Sequence, residues 1–267
     1  MELNTFLGYL GAMLIGVVLG LVGGGGSILT VPILVYLFQV NPVLATAYSL
    51  FIVGITALVG TLRNFRKGLV NLKIGSIFAI PAFIAVFATR KYLLPAIPDL
   101  LYVSENYILT KELAIMLFFA MIMLMAAYSM IKKKKPVIEQ SVTSVQLNVP
   151  LIVLEGIVVG ILTGLVGAGG GFLIIPALVV LAKMPMKEAV ATSLLIITIK
   201  SLIGFTGDLQ NLVIDWSFLL IFSLLSVVGI FIGGYLNNWI EGKKLKSAFG
   251  WFVIVMAIYI LLKELYW

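Results

Sequence analysis

The sequence contains neither cysteine nor histidine, and its charged residues are few. Without cysteine the chain has no disulfide and no thiol chemistry. Without histidine it has no histidine-ligated metal site and no histidine general base. Only 11% of the 267 residues are charged, whereas 62% are hydrophobic. This balance is typical of a polytopic helical membrane protein and excludes a soluble domain of this length.

The missing residue types also remove classes of function. Carboxylates do not occur in pairs in the middle of the apolar segments, so we predict that the chain is not an enzyme and uses no metal or other cofactor. The basic residues, which give a net charge of +7, lie between the apolar segments, so we predict no nucleic-acid partner. Residues 1–5 carry no basic group, so we expect no cleavable signal peptide.

Polar joints separate eight apolar segments. The segments cover residues 5–38, 43–62, 72–89, 112–131, 149–182, 189–206, 213–236 and 247–265. The joint at 132–148 is the most polar and begins with four lysines. We therefore predict an all-α polytopic membrane protein, in which a cytoplasmic linker (132–148) separates a first transmembrane repeat (1–131) from a second (149–267).

The two halves repeat each other at a constant offset of 144 residues. Residues 20–60 align with residues 164–204 without a gap, and 19 of the 41 positions are identical. The first-half members of the informative matches are Gly20, Gly23, Gly25, Gly26, Pro32, Ser49 and Gly60. Such a set, matched without a gap, indicates an internal duplication.

Each half contains a run rich in glycine inside its first apolar stretch, at residues 23–27 (the first glycine segment) and 167–171 (the second glycine segment). Pro32 and Pro176 follow at the same distance and predict a turn or kink. A glycine loop followed by a helix leaves N–H groups free near the positive end of the helix dipole. We therefore predict two anion sites that face each other at the midplane. The alternative is that the glycines only allow close helix packing.

The distribution of lysine and arginine favours a re-entrant hairpin at each glycine segment. With hairpins, thirteen basic residues share the cytoplasmic face and four, Arg90, Lys91, Lys111 and Lys263, lie opposite, whereas full crossings divide them about evenly. Each half is then a hairpin plus three crossings, so the halves are inverted repeats and both termini lie outside. The length of the first arm leaves a broken full crossing open.

Hydroxyl groups and one lysine follow the glycine segments. Ser49 and Ser193 occupy matching positions and are predicted to donate to an oxyanion, with Thr192 beside them; the alternative is a bond to their own backbone. Lys200 lies inside an apolar segment, which predicts a function. It balances an anion, pairs with Asp208, or extends its ammonium to the membrane surface.

At these residues the sequence resembles the sulfite exporter TauE/SafE family of membrane transporters. The resemblance rests on the repeated pattern Gly-Leu-Val-Gly-x-Gly-Gly with a proline downstream, and on Ala-x-Ser-Leu at 47–50 and 191–194. It covers essentially the whole chain. It implies transport of small sulfur-containing anions, such as sulfite or organosulfonates, across the cytoplasmic (plasma) membrane of a prokaryote.

The sequence thus predicts a multi-pass secondary transporter or exporter of a small anion, which works by alternating access; a channel with two re-entrant hairpins is the alternative. Its partners are the anion and the lipid bilayer, and a coupling proton or ion and a homo-oligomer stay open. The predicted substrate-binding residues are Gly23, Gly24, Gly25, Gly26, Ser27, Ser49, Gly167, Gly169, Gly170, Gly171, Thr192, Ser193 and Lys200.

Overall fold

The computed structural model describes residues 2–104, 107–131, 149–180, 182–236 and 242–266. Its helices are α1 (Glu2–Val22), a 3₁₀ helix (Gly24–Leu29), α2 (Thr30–Tyr36), α3 (Pro42–Arg66), α4 (Leu72–Ala88), a π-helical turn (Thr89–Leu93), α5 (Leu94–Ala96), α6 (Lys111–Ile131), α7 (Val149–Val166), α8 (Gly171–Val180), α9 (Met186–Thr206), α10 (Trp216–Leu236) and α11 (Gly242–Tyr266). The predicted linker, 132–148, lies outside the described residues.

Seven helices in the described ranges are long and apolar enough to cross a membrane. These spans are Thr5–Val22, Pro42–Arg66, Leu72–Ala96, Lys111–Tyr128, Val149–Val166, Met186–Thr206 and Trp216–Leu236. The predicted polytopic helical membrane protein is therefore confirmed. The strict all-α prediction is corrected by one short antiparallel hairpin, β1 (Leu100–Ser104) with β2 (Tyr107–Thr110), whose aromatic and branched residues favour strands.

Local sequence signals explain where the second span begins and ends. Asn41 caps α3, because its side chain accepts a hydrogen bond from the N–H of Val43, and Pro42 occupies the first helical position. The helix continues to Arg66, so part of the basic joint predicted at residues 63–67 is helical. Gly68 follows with φ +69°, a conformation that favours glycine and reverses the chain.

The first glycine segment is the tip of a helical hairpin. The chain turns at Gly23, where φ is +76°, and the 3₁₀ helix and α2 then run back along α1. Ile33 of α2 contacts Gly11, and Phe38, just after α2, contacts Gly8. The entry and the exit of this segment therefore lie at the same end of α1. The chain here forms a hairpin of α1 with the 3₁₀ helix and α2, and α1 alone is long enough to cross a membrane.

The helix before each glycine segment packs against a helix of the other half: α1 against α10, and α7 against α4, while α3 packs against α9. Glycine allows the backbones to touch. A Cβ placed on Gly16 would lie 1.8 Å from the carbonyl oxygen of Ser226, and one placed on Gly160 would lie 2.5 Å from that of Ala82. The two contacts are equivalent, since Gly16 and Gly160 are 144 positions apart, as are Ala82 and Ser226. Small residues at helix interfaces are the usual means of close packing in membranes.

Two hydrogen bonds between the halves recur in the same way. The backbone N–H of Asp215 donates to the Tyr48 hydroxyl at 2.7 Å, and that of Asn71 donates to the Thr192 hydroxyl at 3.0 Å. Tyr48 and Thr192 are 144 positions apart, as are Asn71 and Asp215. The offset found in the sequence therefore also relates contacts between the halves.

Replacing Tyr48 by phenylalanine is expected to lower the free energy of unfolding by about 1–3 kcal/mol, because the Asp215 N–H loses its acceptor beside a buried ring. Unfolding of the purified protein in detergent measures this. Tyr92→Phe is the matched control, since Tyr92 is 64% exposed and should change stability little. Equal stability of the two variants would contradict a structural hydrogen bond at Tyr48.

Candidate anion site where the glycine segments meet

The two glycine segments lie in direct contact. A Cβ placed on Gly24 would lie 2.0 Å from the Cα of Gly171, and the reverse holds as well. Beside this contact the Ser27 hydroxyl donates to the Ala168 carbonyl, and also to that of Gly24 at 2.8 Å. Gly24 and Ala168 are 144 positions apart, as are Ser27 and Gly171, so the two contacts are equivalent. A Cβ on Gly169 would lie 2.9 Å from that of Ser27.

The first glycine segment differs from the expected open loop. Gly24, Gly25 and Gly26 are buried inside the 3₁₀ helix, and positive φ is confined to Gly23. The α-helix that follows, α2, starts only at Thr30. The two glycine segments therefore differ in backbone form, and the glycine loop predicted before a helix is not formed in this half. The 3₁₀ hydrogen bonds use N–H groups that an open loop would leave free.

The second glycine segment does form an open loop. Gly167, Gly169 and Gly170 have φ of +72°, +60° and +61°, and α8 starts at Gly171. The N–H of Gly167 donates to the backbone carbonyl of Thr163, and the N–H of Gly170 donates to the backbone carbonyl of Ala168. In the described part of the chain, the N–H groups of Ala168 and Gly169 have no backbone acceptor. Free donors next to the start of a ten-residue helix are suited to an anion.

Lys200 brings a positive charge to the second glycine segment. Its ammonium is fully buried and donates to the Thr163 hydroxyl at 2.7 Å, and a Cβ on Gly170 would lie 2.8 Å from its Nζ. No carboxylate among the described residues lies within salt-bridge distance of it. Because the side chain points into the protein, the expectation that it reaches the membrane surface is not met. Its counterpart in the first half is Thr56, which bonds to the Ile52 carbonyl, so that position has no cation.

The expected pair of Lys200 with Asp208 does not form. Asp208 instead accepts from Nε of Arg90 at 2.7 Å, and Nη1 of Arg90 donates to the Thr46 hydroxyl at 3.0 Å. Arg90 and Asp208 are both buried. Burial raises the pKa of the Asp208 carboxyl above its ordinary value, and the Arg90 guanidinium opposes part of this shift.

Sequence reasoning placed Arg90 in a polar joint and so missed it. The structure continues α4 through a π-helical turn, which carries Arg90 on the buried face. The available signal was the spacing of Ala82, Val86 and Arg90, four residues apart, because such residues share one face of a helix. Ala82 and Val86 are both fully buried.

The predicted hydroxyl residues mainly hold the backbone. Ser49 donates to the Gly167 carbonyl at 2.7 Å and so ties the second glycine segment to α3. Ser193 donates to the Val190 carbonyl of its own helix at 2.8 Å, which is the alternative given for it above. Thr192 accepts the Asn71 N–H, as described. All three side chains are fully buried.

Comparison with known proteins adds to this geometry. Residues 9–260 match the family model described as Sulfite exporter TauE/SafE. The chain belongs to the sulfite exporter TauE/SafE family. It is 30% identical over 253 residues to a probable membrane transporter protein of Xylella fastidiosa strain 9a5c, which covers 93% of this chain and 91% of the relative.

Other relatives of this TauE/SafE chain carry similar names. The probable membrane transporter protein YunE of Bacillus subtilis strain 168 is 30% identical over 270 residues, which covers 94% of this chain and 92% of the relative. The probable membrane transporter protein MJ0441 of Methanocaldococcus jannaschii is 37% identical over 119 residues, or 42% of this chain and 45% of the relative. No solved structure matches the chain. The chain is thus a membrane transporter of the TauE/SafE family.

Proposed function

We propose that this TauE/SafE protein is a secondary transporter that carries a small anion, a sulfur oxyanion or an organosulfonate such as sulfoacetate, across the plasma membrane by alternating access. The substrate lies beside the second glycine segment, where it meets the first. The observation that carries the proposal is the buried ammonium of Lys200, which has a neutral hydroxyl partner and, among the described residues, no carboxylate.

A buried charge is costly unless an opposite charge or several hydrogen bonds compensate it. Thr163 supplies one neutral oxygen, so an anion that binds at Lys200 would supply the missing charge. The same anion would meet the N–H groups of Ala168 and Gly169 near the start of α8. The proposal that the anion contains sulfur is based on the family, which is described as a sulfite exporter family.

The order of the helices supports an inverted repeat. The first half has a hairpin (α1 and α2) and then α3, α4 and α6; the second has α7 and α8 and then α9, α10 and α11. With re-entrant hairpins and three crossings in each half, the halves would take opposite orientations, and the distribution of lysine and arginine would then put both termini outside. The direct backbone contact of Gly24 with Gly171 favours a carrier over a channel, because a pore would need a water-filled path there.

Ligand-dependent thermal unfolding in detergent tests the proposal. We would compare sulfite, sulfate, thiosulfate, sulfoacetate, taurine and acetate. One sulfur anion should raise stability selectively, by about 2.7 kcal/mol when its concentration is a hundred times its Kd. Taurine is the matched control for a sulfonate, since its own ammonium cancels the charge that Lys200 would bind. Equal stabilisation by acetate and the sulfur anions, or none by any of them, would contradict the proposed substrate class.

A further inference from the structure

A second buried cation, Arg90, lies near the second glycine segment. Arg90, from the end of α4, meets Asp208, from the turn after α9, so the pair joins the two halves. The Thr46 hydroxyl accepts from Arg90, and a Cβ on Gly167 would lie 2.4 Å from the Thr46 carbonyl oxygen. The ion pair is therefore one residue away from the loop to which we assign the anion.

One donor of this guanidinium is unused. Nη2 of Arg90 is buried and has no hydrogen-bond partner in the described part of the chain, although Nε and Nη1 both have one. A guanidinium binds two oxygens of a carboxylate or other oxyanion through a pair of parallel N–H groups. Asp208 reaches only Nε with Oδ2, so the edge formed by Nε and Nη2 is half occupied. An anion with two free oxygens matches that edge.

We propose that Asp208 is the proton-coupling carboxyl of this transporter: the oxyanion takes the Nε and Nη2 edge of Arg90, and the displaced carboxylate of Asp208 binds one proton. This inference rests on the proposed function and names its coupling ion. The step conserves charge, because Arg90 exchanges one anionic partner for another while a carboxylate oxygen gains a proton from solvent.

The surroundings of Asp208 fix the direction of the effect. Lys91, next to Arg90, faces the rings of Phe87 and Tyr92, with its Nζ 5.4 Å and 5.7 Å from their centroids. From α9, Lys200 turns to Thr163, and from α3 the Tyr48 hydroxyl bonds to a backbone N–H. Within the described ranges, Arg90 is thus the charge that acts on Asp208.

Burial already raises the pKa of Asp208, and Arg90 alone opposes that shift. When an anion occupies Arg90, the opposition weakens, so the bound state holds the proton more firmly. Anion affinity should therefore rise as the pH falls.

The internal repeat contains an equivalent arginine–glycine contact that has no aspartate beside it. Nη2 of Arg63 donates to the Gly234 carbonyl at 3.2 Å, and Arg90 packs its Cβ against Gly207. Arg63 and Gly207 are 144 positions apart, as are Arg90 and Gly234, so the two arginine–glycine contacts are equivalent. The position equivalent to Asp208 is Asn64. The chain thus has this proton-binding group at one end only, and Asp208→Asn installs the residue that the repeat itself carries at the other.

Affinity for sulfoacetate and sulfate, measured by calorimetry in detergent over a pH series, tests this, because both anions keep their charge at neutral and alkaline pH, so the pH dependence of binding there comes from the protein. Above the pKa of Asp208 the wild-type Kd should rise about tenfold per pH unit, with one proton taken up per anion bound. Asp208→Asn should bind with a Kd that does not depend on pH. Glu155→Gln is the matched control, since Glu155 is a carboxyl with a buried oxygen that has no hydrogen-bond partner in the described residues, and this variant should keep the slope.

Each outcome decides. Wild-type binding that is tight but independent of pH overturns the inference and leaves the proposed function standing, whereas absence of binding at every pH removes both. A slope that persists in Asp208→Asn also overturns the inference, and its disappearance in Glu155→Gln would assign the proton to Glu155. If Asp208→Asn does not fold, Asp208→Glu decides, because a longer carboxyl should move the midpoint of the pH dependence, and an unmoved midpoint contradicts the assignment.

Discussion

Lys200→Met should raise the Kd for the transported anion about 10- to 100-fold, because a charge-assisted hydrogen bond contributes about 1.5–3 kcal/mol. The ammonium lies at the second glycine segment and, among the residues described, faces no carboxylate. The variant without ligand should be as stable as the wild type or more stable, since methionine removes an uncompensated buried charge. Ligand-dependent thermal unfolding measures both quantities in one series.

The repeat supplies the control for this substitution. Thr56 occupies the position equivalent to Lys200 and bonds only to its own helix, so Thr56→Val should leave anion affinity unchanged. Lys200→Arg keeps the charge and should retain part of the affinity. If Lys200→Met bound the anion as tightly as Thr56→Val, the lysine would be a structural residue and the proposed site would be wrong.

Gly167→Ala should be the most damaging single-methyl change among the three glycines of the second glycine segment that have positive φ. At φ +72° an alanine costs about 1–2 kcal/mol. The added Cβ would also lie 2.4 Å from the carbonyl oxygen of Thr46, which adds about 1–3 kcal/mol of overpacking. Unfolding of the purified variant in detergent should show the sum of the two effects.

Gly68→Ala separates the two contributions. Gly68 has nearly the same backbone conformation, φ +69°, but no atom within 4 Å of the position of a Cβ. This variant should lose only the conformational part, and its anion affinity should stay that of the wild type. Equal losses of stability at Gly68 and Gly167 would mean that the contact with α3 contributes nothing.

The sequence was sufficient to predict the spans, the duplication and the glycine segments. These features depend on apolar length, residue identity at a fixed offset and helix-breaking composition, all of which are local or repeated. The distribution of lysine and arginine favours a hairpin at each glycine segment, and the contacts of Ile33 and Phe38 with α1 show a hairpin in the first half.

The side-chain partners could not be predicted in the same way. Lys200 lies on α9, and Asp208 follows eight residues later, just after that helix. Their partners nevertheless come from different parts of the chain: Lys200 bonds to Thr163 of α7, whereas Asp208 bonds to Arg90 at the end of α4. Which polar groups meet depends on helix rotation and on where α4 ends, and the π-helical turn that buries Arg90 leaves no composition signal. The 3₁₀ form of the first glycine segment was missed because glycine permits several backbone conformations almost equally.

The packing of each hairpin on the opposite half limits how the molecule can move. Gly16 of α1 lies against Ser226 of α10, and Gly160 of α7 lies against Ala82 of α4, with backbone touching backbone. The halves have thus exchanged their hairpins, as the subunits of a domain-swapped dimer exchange an element. A rocking motion that kept each half of the sequence rigid would pull these surfaces apart. In the alternating-access cycle that we propose, the rigid bodies would instead join α1 with α10 and α7 with α4, so the boundary between them would run across the duplicated halves rather than between them.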